Sequence, residues 1–100
     1  MNDNLIKSLA RLTGLKNNIP TGWVLRKYGD EFNSILVTLE KDSSFNLAEF
    51  VIPEHEFESR PGHRGKYCDR EFLLMKIDGV LSYFTFVLQP EETKNKLGFF

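Results

Sequence analysis

The stretch Arg70–Gln89, "REFLLMKIDGVLSYFTFVLQ", decides the fold. At its centre stands Asp78-Gly79, a dipeptide suited to a two-residue type I′ turn, because both positions of that turn need positive φ. In that register Ile77 faces Val80, Met75 faces Ser82, Leu73 faces Phe84 and Glu71 faces Phe86. On the opposite side Lys76 meets Leu81, Leu74 meets Tyr83 and Phe72 meets Thr85. Cross-strand apolar and aromatic pairs hold such a hairpin together by about 0.2–1 kcal/mol each. The stretch therefore predicts a C-terminal β-hairpin. Pro90 ends it, and the polar tail "EETKNKLGFF" closes on Phe99 and Phe100, an end suited to self-association if exposed.

Upstream the same periodicity predicts more strands. "WVLRKY" (Trp23–Tyr28) is one, followed by the turn-rich "GDE". "SILVTLE" (Ser34–Glu40) alternates Ile35, Val37 and Leu39 against Leu36, Thr38 and Glu40, and both sets are partly apolar, as in a central strand. After the turn "KDSS", Ser43 or Ser44 could cap a short helix in "FNLAEFVI" (Phe45–Ile52), but the run Phe-Val-Ile ending at Pro53 favours a further strand. The first residues differ. Leu5, Leu9 and Leu12 recur at helical spacing with Ile6 beside them, Asn2 or Asp3 can cap the first turn, and Gly14 marks a C-terminal stop. The sum is a single α+β domain over 1–100, an N-terminal helix packed on an antiparallel sheet of about five strands, a meander closed by the Asp-Gly hairpin.

Composition fits one globular unit. One hundred residues with 41% hydrophobic content, nine of them Phe, can bury about two thirds of the unfolded surface. A net charge of −1 excludes a whole-surface nucleic-acid binder, so any electrostatic recognition must come from local segregation of charge. One cysteine forms no intramolecular disulfide, and no run approaches the about 18 apolar residues of a membrane span. Polar groups interrupt "MNDNLIKSLARL", which predicts no secretory leader. A cytoplasmic address without membrane contact is the expectation, in the host cytoplasm if the chain is phage-encoded.

That segregation is found in "EHEFESRPGHRGKYCDRE" (Glu54–Glu71). From Glu49 to Glu58 there are four acids and no base, whereas from Ser59 to Arg70 there are four bases and one acid. Either the two runs neutralise each other, or they form a two-signed surface that orients a partner. The length of the connection and its content of Arg60, Arg64, Tyr67 and Arg70 favour recognition, since arginine and tyrosine concentrate in interface cores. Gly62 and Gly65 let the backbone turn sharply among those bases. The expected contact residues are Arg60, His63, Arg64, Lys66, Tyr67 and Arg70, with Glu54, Glu56 and Glu58 as an acidic face along an extended segment that tucks Phe57 inward.

Three functions follow from this stretch. The first is a small non-enzymatic interaction protein that binds a protein partner through 54–71, such as an inhibitor, an immunity-type neutraliser or an adaptor of the kind carried by phage and mobile elements; a homodimer is compatible with it. The second is nucleic-acid binding by the basic loop 60–70, aided by Lys7, Arg11 and Lys16 of the first helix. The third is a small enzyme or metal protein using His55, His63 or Cys68. The ligand spacings lack the close pairs of structural zinc sites, Cys68 carries no family-specific nucleophile signature, and "RPGHRGK" is not a P-loop, so no cofactor is implied. Base stacking needs exposed aromatics interleaved with basic side chains, and the aromatics of 72–86 have aliphatic neighbours that mark core instead.

Overall fold

The computed structural model describes residues 3–88. Along them run α1 (Asp3–Asn17), β1 (Trp23–Leu25), α2 (Arg26–Ser43), 3-10 turns at Ala48–Phe50 and Glu54–Glu56, β2 (Glu58–Ser59), β3 (Lys66–Asp69) and α3 (Arg70–Val87). Helix accounts for 66% of these residues, and the sheet has three antiparallel strands in the order β1-β3-β2. The expected five-stranded meander is thus overturned. Expectations about Asn2, Pro90 and the "LGFF" end lie outside the described residues.

The hairpin expected at Asp78-Gly79 is the middle of α3. Leu73, Ile77, Val80 and Phe84 are each 1% exposed or less, and their spacing of four, three and four residues is that of one helical face. Asp69 caps the helix, its side chain accepting from the Phe72 amide at 3.2 Å. Asp78 projects outward and pairs with Lys16 at 2.7 Å. Gly79 lies against Phe50, whose ring would stand 3.1 Å from an added Cβ. Close packing against that ring, not a turn, explains the glycine.

The strand expected at Ser34–Glu40 belongs to α2. Phe32, Ile35, Leu36 and Leu39 are buried at helical spacing, whereas Val37, inward in an alternating strand, is 66% exposed. Only Trp23–Leu25 of the first expected strand is extended, because Arg26 already opens α2. That helix ends at Ser44 in the left-handed conformation, its amide donating to the Glu40 carbonyl. Beyond it, Phe45–Ile52 pairs with no strand. Asn33 instead grips Ile52 as a strand neighbour would, its side-chain amide donating to the Ile52 carbonyl at 3.1 Å and its oxygen accepting from the Ile52 amide at 2.9 Å.

The N-terminal helix is present, but it runs past Gly14 to Asn17. Asn18 closes its end by donating to the Gly14 carbonyl at 2.7 Å. Leu5 and Leu12 are buried, and α1 packs on α2 and α3, not on a sheet face. The buried side chains of all three helices join Val24, Phe57 and Cys68 in one cluster, so among the described residues helices cover the Val24–Cys68 face of the small sheet. Among the described residues no helix is long and apolar enough to cross a membrane.

Candidate functional site

Strand alternation settles what the open face of the sheet carries. Register pairs Trp23 with Asp69, Val24 with Cys68, Leu25 with Tyr67 and Glu58 with Tyr67. Directly opposed residues share a face, and successive residues alternate. Val24 and Cys68 are fully buried against the helices, so Trp23, Leu25, Glu58, Tyr67 and Asp69 look outward. Trp23 and Leu25 are each 40% exposed.

The connection expected to be a long loop is mostly ordered structure: a 3-10 turn, β2, a six-residue loop over 60–65, β3 and the start of α3. Gly62 and Gly65 both take φ 77°, a conformation other residues adopt only with strain, and the His63 amide donates to the Arg60 carbonyl at 3.1 Å. This tight turn folds the loop back over the sheet. The Arg60 guanidinium lies 4.0 Å from the centroid of the Trp23 ring, and the His63 ring meets Tyr67 edge-on at 5.9 Å and 76°. Trp23, Arg60, His63 and Tyr67 together line an open pocket of about 210 Å³. Arg64 is exposed at the tip and, among the described residues, has no carboxylate partner.

The remaining expected contact residues are placed elsewhere. Glu54 is on a 3-10 turn, where Arg26 grips it with two bonds of 2.8 and 2.9 Å and Lys66 approaches to 3.8 Å. Those bonds, Arg26 above all, hold the Glu54 carboxyl below the usual range. Arg26 also binds Asp30 and lies 4.5 Å from the centroid of the Phe57 ring. Phe57 is inward at 5% exposure, as expected from its neighbours. Glu56 stands 3.4 Å from His55, a neighbour of its own turn. Arg70 is the first residue of α3, bonds Glu71 at 3.2 Å and buries its Nε without a partner among the described residues. The acidic and basic runs are therefore partly joined within the chain, and the outward cluster is Arg60, His63, Arg64 and Tyr67 with Glu58 beside them.

Two residues of the enzyme alternative are parted. His63 belongs to the outward loop, whereas Cys68 is fully buried on the inward face, and burial followed by the Asp69 charge pushes its thiol pKa up. No group of three or more His, Cys, Asp or Glu among the described residues could hold a metal ion. Of the bases expected to help from the first helix, Arg11 pairs with Glu31 and Lys16 with Asp78, while Lys7 is exposed.

Trp23 is the candidate site residue that sequence reasoning missed. Its signal was available: the sole tryptophan, directly after a turn glycine, at the head of a strand. The aromatics of 72–86 form core, whereas this one, at the head of an expected strand, stands beside basic groups. No protein-family model, curated protein or solved structure matches this chain.

Proposed function

We propose that the protein is a small non-enzymatic binding module of the cytoplasm that grips nucleic acid with the open face of its sheet and the loop 60–65. The observation that carries this reading is Arg60 laid on an exposed Trp23 beside His63 and Tyr67, with Arg64 exposed at the tip and without a carboxylate partner among the described residues. Aromatic faces interleaved with cations are what a nucleic-acid surface requires, the rings for bases and the guanidinium forks for phosphates. Of the nearby acids, Glu54 is held by Arg26 and Asp69 caps α3, while Glu58 stands on the same face beside Tyr67. A near-neutral protein can bind this way because the cationic groups are local, not spread over the surface.

A protein partner is the second reading, favoured by a different observation. Glu58 and Leu25 flank Tyr67 on the same face, so the patch is also apolar and two-signed. Tryptophan, tyrosine and arginine are the residues that dominate protein interfaces. An inhibitor, immunity-type or adaptor role would use the same side chains.

Affinity capture from the native host, with and without nuclease treatment, separates the two. Nucleic acid is expected to co-purify with wild type and not with the Arg60→Ala/Arg64→Ala variant, whose unfolding midpoint should match wild type. A protein captured equally after nuclease treatment, and lost from the variant, would move the conclusion to the second reading. Identical capture by wild type and variant would overturn both.

A further inference from the structure

Resting on the nucleic-acid reading, we infer that the ligand is a single strand, with one base stacked on Trp23 and its phosphates held by Arg60 and Arg64. The pocket carries the argument. A base inside a duplex has both faces covered by its neighbours, so an aromatic side chain has nothing to stack on unless the base is unpaired. Here the indole of Trp23 is 40% exposed at the edge of the sheet, and the open space beside it, about 210 Å³, is lined by Arg60, His63 and Tyr67. A flat cation already occupies the ring face at 4.0 Å. Arg60 acts as a placeholder: it leaves the indole for a phosphate, and a base takes the position it held. The two π-contacts exchange without leaving the ring bare, and the guanidinium gains a bidentate acceptor.

Duplex binding uses the chain poorly. Proteins that hold duplex DNA commonly make about 6–10 phosphate contacts. The described residues around this face offer Arg60 and Arg64, because Arg26, Lys66 and Arg70 each approach a carboxylate of their own chain. Two phosphates and a stacked base suit a strand and leave most of a duplex untouched.

The full chain reports on its own site, since Trp23 is its sole tryptophan. Oligothymidylate and oligouridylate of about 12 nucleotides, and a duplex of equal length, are titrated against Trp23 emission and against the anisotropy of the labelled nucleic acid. Binding of either single strand with quenching of Trp23, tighter than the duplex, is the expected result. Between about 50 and 200 mM salt the affinity should fall about sevenfold, the change for two phosphates on a single strand. For Arg64→Ala the fall should shrink to about threefold, with quenching retained. Trp23→Ala should weaken the anisotropy-detected affinity by about five- to 150-fold, while Trp23→Phe restores most of it. Lys41→Ala, at the far end of α2, should change nothing. Equal or tighter duplex binding, or strand binding that leaves Trp23 emission unaltered, overturns the single-strand inference and leaves the nucleic-acid reading standing. No binding of strand or duplex at the lowest salt overturns both.

Discussion

Among the described residues two arginines lie over aromatic rings, and their surroundings differ. Arg26 lies 4.5 Å from the centroid of the Phe57 ring and is closed in by Asp30 and Glu54, with three of its four bonds between 2.8 and 3.1 Å and the fourth at 3.2 Å. Arg60 lies 4.0 Å from that of Trp23 with no carboxylate among the described residues. Phe57 is 5% exposed and Trp23 is 40% exposed. The first arrangement ties the start of α2 to the turn before β2, so it is architecture. In the second the same contact is made on an open face, where its charge and its ring remain accessible. A basic residue beside an aromatic is therefore no guide to function until its acids have been counted.

Substitutions can break that contrast, and the largest effect is expected at the closed ring. Phe57→Ala should cost about 3–5 kcal/mol in denaturant unfolding, as for other buried aromatics. Trp23→Ala, which empties the open ring, should stay within about 1 kcal/mol, since half-exposed positions contribute little to stability. Equal losses at the two sites would erase the distinction drawn here.

Next in size is Gly29→Ala. A Cβ at that position would stand 2.5 and 2.7 Å from the Phe57 ring, which is itself pinned under Arg26. Overpacking should outweigh the gain in helix propensity and leave a net loss of about 1–2 kcal/mol. Gly14→Ala sharpens the point from the opposite side. Nothing lies within 4 Å of its added Cβ and the residue is helical, so a gain of about 0.5–1 kcal/mol is expected in the same assay.

The smallest effect should be the pH dependence of the Arg26 clamp. Arg26 holds the folded-state pKa of Glu54 below its ordinary value. A carboxyl with a depressed folded pKa contributes fully above its unfolded value, near about 4.3, and loses that contribution as pH falls through the lower folded one. The urea midpoints of wild type and Glu54→Gln should therefore differ at neutral pH and converge below about pH 4. A gap that persists or widens in acid would mean that Glu54 acts through packing and not charge.

Some of this was legible in the sequence. Leu5, Leu9 and Leu12 marked the first helix, Phe57 was read as inward from its acidic neighbours, and Gly62 with Gly65 marked a sharply turned basic loop. The fold class was not legible because two patterns in 34–40 and 70–87 compete. Ile35, Leu36 and Leu39 fit a helix with Phe32, yet the inclusion of Val37 gives a convincing alternation. Nothing in the seven residues says that Val37 faces water. In 70–87, the aromatic content and Asp78-Gly79 pointed to a turn, while Leu73, Ile77, Val80 and Phe84 with an Asp69 cap pointed to a helix. A cap followed by eighteen residues of unbroken helical spacing is the stronger signal, because a cap satisfies amides that a hairpin would not leave free. The clustering of Trp23 with Arg60 and His63 lay beyond local reading altogether. It depends on β1 pairing with β3, across more than forty residues.

The lengths of the outer strands have a consequence for how such a face survives in a crowded cell. β1 has three residues and β2 has two, and both border the sheet. Fibre growth recruits neighbours along a run of unsatisfied amides and carbonyls, and these borders are too brief to serve as a template. An indole and an isobutyl group can thus be displayed to solvent without seeding the stacking of one copy on the next.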